Sequence, residues 1–181
     1  MKPTEELKNE HRVIERMLDI VSKACDKLES GDEVDPNLFV GAADFFKNFA
    51  DKCHHSKEEK LLFEKMIARG IPRTSGPIAV MLHEHDDGRG YVRKIAELSQ
   101  KSLTPQTKTG LVEAGRGYLE LLSAHIDKED NILYPIADDV LLEKDQGELE
   151  RGFEDVEKEI MGPGVHEKYH KMIEKWEKKY K

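Results

Sequence analysis

The sequence predicts an all-α protein, a four-helix bundle with additional helices toward its C-terminal end. Proline and glycine clusters cut the chain into long segments, and within each segment apolar residues recur at three- and four-residue steps, the spacing of a helix with one buried stripe. Asp35-Pro36 and Thr104-Pro105 each read as an N-cap followed by proline in the first helical turn. Breaks fall at Ser30-Gly31-Asp32, at Gly70-Ile71-Pro72 through Gly76-Pro77, at Ser102-Leu103-Thr104-Pro105 and at Gly162-Pro163-Gly164. They leave four long segments, about 4–29, 36–69, 77–101 and 105–143, and two shorter ones, about 145–160 and 165–180.

Each long segment loses its apolar stripe at one place, and a polar residue stands there. The first runs Leu7, Ile14, Leu18, Val21, Cys25 and Leu28, with His11 in the missing step. The second runs Ala43, Phe46 and Ala50 to Leu61, interrupted by His54 and Glu58. In the third, His85 lies between Leu82 and Val92, and in the fourth, His125 and Glu129 lie between Leu121 and Ile132.

The interruptions repeat. Lys57-Glu58-Glu59-Lys60-Leu61-Leu62-Phe63 aligns with Lys128-Glu129-Asp130-Asn131-Ile132-Leu133-Tyr134, and a histidine precedes each aligned glutamate by four residues. Glu10-His11 likewise recurs as Glu84-His85, so the whole pattern is H, HxxxE, H, HxxxE. Such duplication predicts two helical hairpins related by a pseudo-twofold axis, with two equivalent half-sites meeting in the centre. Residues four apart share a helix face, so each HxxxE pair presents an imidazole and a carboxylate to one point. Imidazole suits iron, zinc and copper, carboxylates bridge oxygen-loving ions, and the mixed set favours a bridged pair of iron or manganese ions over a thiolate metal, with zinc less suited. The plainer reading, ordinary buried polar residues paired with one another, is weak for six such groups, because a carboxylate buried without a strong partner costs several kcal/mol.

Other polar residues stand off the stripes. His55 aligns with Ile126 and is read as a residue that flanks or supports the ligands and is not one of them, His83 as a surface residue, and Tyr118 as core. Glu59 and Asp130 follow the aligned glutamates; each is either a solvated carboxylate or a hydrogen-bond acceptor for a ligating imidazole. His166 and His170 lie beside an apolar face of Val165, Tyr169, Ile173 and Trp176 that predicts docking onto the bundle; the plain reading leaves both histidines on the surface, and the functional one brings one of them to the metal.

Composition narrows the function classes. At 181 residues the chain is sized for one domain, residues 1–181, comprising a bundle over about 4–143 and a helical extension over about 145–181. Charged residues make up 36% of it, the net charge is −8 and the pI is near 5.5, which disfavours nucleic acid and anionic membranes as partners. No apolar run approaches the roughly 20 residues of a membrane span. Residues 1–17 lack the apolar stretch of a secretory signal, and two cysteines, Cys25 and Cys53, are too few for a disulfide framework; a cytoplasmic protein with reduced thiols is expected.

Glu10-His11, His54-xxx-Glu58, Glu84-His85-Asp86 and His125-xxx-Glu129 resemble, in order and across about residues 5–140, the haemerythrin-like HHE cation-binding family. The resemblance implies an up-down-up-down bundle and an oxo- or hydroxo-bridged di-iron centre, with His11, His54, His85 and His125 as terminal ligands and Glu58 and Glu129 as bridges. Oxygen-carrying haemerythrins use five histidines, a glutamate and an aspartate; here Met81 stands four before His85, where their extra histidine would be, and Glu129 replaces an aspartate one residue further on. The symmetric pattern looks more like the branch that includes bacterial iron-sulfur-cluster repair proteins and stress-response proteins. It implies a di-iron protein that binds, senses or reacts with O₂, NO or peroxide in stress protection, served by a redox partner. The alternative is a non-catalytic metal- or oxygen-responsive module whose C-terminal segments engage a partner.

Overall fold

Helix starts follow the capping chemistry of the sequence. The Asp35 carboxylate accepts the Asn37 backbone N–H at 3.0 Å and the Thr104 hydroxyl accepts that of Thr107 at 3.2 Å, each immediately before a proline whose missing N–H costs the first turn nothing. The computed structural model describes residues 1–181 as six helices without strands. Helix α1 spans Pro3–Glu29, α2 residues 36–68, α3 Gly76–Ser99, α4 residues 105–140, α5 residues 143–161 and α6 Val165–Lys179. The segment expected over 105–143 stops earlier, because Leu141 and Leu142 turn extended between α4 and α5. Between α5 and α6 the chain reverses through Gly162 and Gly164, both at positive φ, where a side chain would be strained.

Two of these helices change their winding at the same aligned place. Glu58–Leu62 in α2 and Glu129–Leu133 in α4 are π-helical, so the duplication extends from the side chains to the backbone. Helix α2 carries a further π-helical stretch over Phe46–His55, and α5 ends in one over Glu157–Met161. Their i→i+5 bonding widens the turn and changes which residues share a face.

Helix α4 packs along both α1 and α3, α2 lies against α3 and α1, and α5 and α6 each rest on α1 and α2. The apolar side chains form two separate clusters. The larger joins Ile14, Leu18, Phe45, Phe46, Leu122 and Ile126 to Tyr169, Ile173 and Trp176 of α6, so the apolar face expected to dock does so. The smaller joins Leu7, Leu62, Phe63, Met81 and Leu133 to Leu149 and Phe153 of α5. His11, His54, Glu58, His85, His125 and Glu129 are buried in the layer of the four long helices between these clusters. Cys25 and Cys53 are free and buried, and burial pushes their thiols up to about 11 and about 12. No helix is long and apolar enough to cross a membrane.

Candidate metal centre

Four imidazoles meet in this layer as two pairs. His11 Nε2 lies 3.0 Å from His54 Nε2, and His85 Nε2 lies 3.1 Å from His125 Nε2. The opposite nitrogen of every ring is committed to a carboxylate: His11 Nδ1 donates to Asp130 at 2.8 Å, His54 to Glu10 at 2.7 Å, His85 to Glu59 at 2.7 Å and His125 to Glu84 at 2.8 Å. An ionised carboxylate only accepts, so each Nδ1 carries the proton and each neutral Nε2 faces its neighbour with a lone pair. Two lone pairs at such a separation repel unless a cation or a proton stands between them.

The two glutamates add oxygens to the same space. Glu129 sends Oε2 to within 3.2 Å of His11 Nε2 and Oε1 to within 3.1 Å of His125 Nε2, one oxygen to each pair. Glu58 Oε2 lies 3.7 Å from His54 Nε2 and 3.4 Å from His85 Nε2, again between the pairs. Both glutamates are wholly buried, yet Glu58 Oε2 and both oxygens of Glu129 accept no hydrogen bond. Orphaned carboxylate oxygens in a buried layer cost several kcal/mol each. The remaining oxygen, Glu58 Oε1, takes the Tyr134 hydroxyl at 2.6 Å.

Charges within the metal-free cluster are pulled in opposite directions by burial and by their neighbours. Burial, the largest influence on His11, opposes its charge, but Asp130 and Glu129 outweigh it and hold the ring up at about 9. His85 is raised in the same way by Glu129 and Glu59 against burial, whereas burial and the charge on His11 drive His54 down. The two glutamates separate: burial and the charge of Glu129 push Glu58 up, while the histidines around Glu129 overcome burial and pull it down. Protons thus take the place that the lone-pair geometry gives to a cation, and a nitrogen and oxygen donor set of this kind fits iron.

The carboxylates that hold the imidazoles are themselves held. Glu10 accepts from Lys57 at 2.6 Å, and Glu84 accepts from the aligned lysine, Lys128. Asp130 pairs with Arg12, and Glu59 with Arg89 at 2.7 Å. Lys57 is 0% exposed and also reaches Glu6 and, at 2.7 Å, Glu157 of α5, so its ammonium is the cation of that acidic group. Burial opposes the Lys57 charge, and the three carboxylates more than restore it.

The six residues predicted from the sequence are therefore brought together, and of the two readings of Glu59 and Asp130 the hydrogen-bonding one holds. His55 stands directly against the cluster, as the supporting half of its reading allows. It is buried, its ring stacks on His85 with centroids 3.8 Å apart, and its donor atoms belong to a cluster with Glu58, His85 and His125. The π-helical stretch that ends at His55 turns two successive histidines inward, which a regular 3.6-residue period does not. Glu10, Glu84 and Lys57 were missed as supports, and Tyr134 as a neighbour of Glu58. His83 is exposed beside Asp87 and Tyr118 packs on Phe46, as the plain reading of each expected, whereas His166 is half-buried against Phe49, outside the cluster but not on the open surface.

Comparison with known proteins agrees with this arrangement. The chain is 22% identical over 160 residues to the uncharacterized protein Mb2018 of Mycobacterium bovis, covering 87% of the chain and 62% of that relative. It is 36% identical over 89 residues to the iron-sulfur cluster repair protein YtfE of Pectobacterium carotovorum, covering 46% of the chain and 40% of that relative. To YtfE of Dickeya chrysanthemi it is 31% identical over 122 residues, covering 64% and 55%. The chain thus spans between two fifths and three fifths of the length of these curated relatives. No solved structure matches it. The model of the hemerythrin HHE cation binding domain matches residues 2–137, all four histidine-bearing segments included, and the chain belongs to that family.

Proposed function

We propose that α1 to α4 form an up-down-up-down four-helix bundle that holds two iron ions, and that the ion pair binds, senses or reacts with O₂, NO or peroxide. His11 and His54 would hold one ion and His85 and His125 the other, with Glu58 and Glu129 supplying carboxylate oxygens to both. The observation that carries the reading is the set of four Nε2 atoms facing one another in two pairs around three buried carboxylate oxygens that accept no hydrogen bond. Bound iron supplies redox chemistry and sites for small exogenous ligands. The protein's part is to fix ring orientation through Asp130, Glu10, Glu59 and Glu84, and to keep bulk water from the layer with the apolar clusters on either side. The names of the YtfE relatives, iron-sulfur cluster repair proteins, support an iron-related role. A cytosolic location suits two buried free thiols, and a separate reductant would return oxidised ions to the reduced state.

A second reading has its own support. Glu157 of α5 touches Lys57, which touches Glu10, which orients His54, so a C-terminal helix is linked by contacts to the centre. On this reading the chain is a metal-responsive sensor whose C-terminal helices shift with the state of the ions and engage a partner.

Protein produced with iron supplied should contain about two irons per chain and, when oxidised, show oxo-to-iron charge-transfer absorption in the near ultraviolet, both lost in Glu58→Ala. One zinc and no iron would overturn the proposal. Turnover of peroxide or NO by the loaded protein separates the reactive reading from the sensor, for which metal removal alters the protease sensitivity of residues 143–181.

A further inference from the structure

The duplication that builds the centre fails on one side of it, and a pocket opens where it fails. In the alignment that pairs His54 with His125 and His11 with His85, His55 corresponds to Ile126, Gly88 to Ile14 and Val92 to Leu18. Ile126, Ile14 and Leu18 are buried members of the larger apolar cluster, and the interface of α4 with α1 beside the first half-site is filled. On the second side, between α2 and α3, a glycine replaces isoleucine and the smaller valine replaces leucine. A cavity of about 360 Å³ lies there, walled by Phe46, Tyr118 and Val92. Gly88 lines it, and a Cβ at that position would sit in contact with the Tyr118 ring, 3.4 Å away.

The inner end of this pocket is His55, whose other face stacks on His85. Its outer rim is cationic. Arg89 is neutralised by Asp51, Glu59 and Asp86, but Lys47 and Arg93 are exposed and form no ion pair. On a chain of net charge −8, two unpaired cations at the lip of one cavity make a local potential that draws anions where the rest of the surface repels them. The His55 ring stands between this pocket and His85, so passage inward needs that ring to swing aside and admits only a small species.

We infer that this pocket is the entrance through which a small inorganic anion, of the size of azide, nitrite or hydroperoxide, reaches the His85 and His125 half-site, and that the two half-sites are unequal in access. The inference rests on the two-ion reading above. At the corresponding place beside the first half-site, Ile126 and Ile14 are buried in the larger apolar cluster.

The test is stopped-flow mixing of iron-loaded protein with azide, followed by the absorption of the azide adduct, beside elemental analysis of each variant. Ala96→Trp fills the pocket and should slow azide association at least about tenfold with iron content unchanged. Ser22→Trp, at the aligned position on α1, should leave the rate as it is. Lys47→Glu with Arg93→Glu, both on exposed residues, keeps the interior intact and should slow association about tenfold at low salt, the difference vanishing at high salt. Equal azide rates in the charge-reversed and parent proteins, or a Ser22→Trp effect equal to that of Ala96→Trp, would overturn the entrance and leave the ion pair standing. A parent protein that takes up no iron overturns the two-ion reading itself, and an iron-loaded parent that binds no azide overturns the choice of ligand.

Discussion

The two halves of the duplication keep the same contacts around the metal-facing nitrogens and differ in what lies behind them. In each half a lysine holds a glutamate that holds the histidine of the HxxxE pair: Lys57, Glu10 and His54 in one, Lys128, Glu84 and His125 in the other. Yet Lys57 is wholly buried under Glu157 of α5, while Lys128 is 34% exposed. Tyr134 reaches Glu58 where the aligned Phe63 has no hydroxyl to offer, and His55 stands where the other half has Ile126. Geometry that positions a ligand is thus held equal, and burial, access and local polarity are free to diverge.

Breaking the equality of the ligands gives the largest effect. His54→Ala and His125→Ala should each drop iron from about two per chain to less than one, because the bridging carboxylates tie the ions together. Retention of one full ion in either variant, by elemental analysis, would show that the halves bind independently.

The lysines break the comparison at the next level. Lys57→Met strands Glu6, Glu10 and Glu157 around a buried site and should cost about 3–5 kcal/mol in urea unfolding, whereas Lys128→Met, at a half-solvated pair, should cost about 0–1 kcal/mol. Equal losses would mean that the burial of Lys57 carries no special energy.

Acidity separates the metal-free protein from the loaded one. The folded His11 ring sits near 9 against an ordinary 6.5, so its contribution to metal-free stability is fully present below about 6.5 and is lost as pH rises through about 9. Metal binding needs the same nitrogen free, and iron affinity should climb over that window. Thermal unfolding of metal-free protein at both pH values, beside metal competition at each, reads the two signs; melts that rise with pH in the metal-free protein would contradict them.

The smallest effect tests the hydroxyl asymmetry. Tyr134→Phe makes the two halves alike, removes the hydrogen bond to Glu58 and should lower metal-free stability by about 1 kcal/mol with iron stoichiometry unchanged, measured by denaturant titration. A loss of iron would make the hydroxyl part of the binding set.

How much of this was legible follows from what each residue does to helical periodicity. His11, His54, Glu58, His85, His125 and Glu129 interrupt apolar stripes, so the sequence exposes them. Proline and glycine marked most helix ends, but Leu141 and Leu142 break α4 from α5 with no such residue, since nothing in two leucines opposes a helix. Lys57 reads as a solvated lysine because its burial depends on α5, more than eighty residues away in sequence. His55 hid behind the assumption of a uniform turn, which the π-helical winding of α2 violates.

The reach of Glu157 to Lys57 also bears on moving this centre elsewhere. A designer transplanting the six metal-facing side chains, or even the whole matched stretch of residues 2–137, would leave the Lys57 ammonium short of one counter-charge and without the Phe153 ring that lies 5.4 Å from it. The minimal portable unit therefore extends at least through the end of α5, well past the last residue that recognition of the motif would mark.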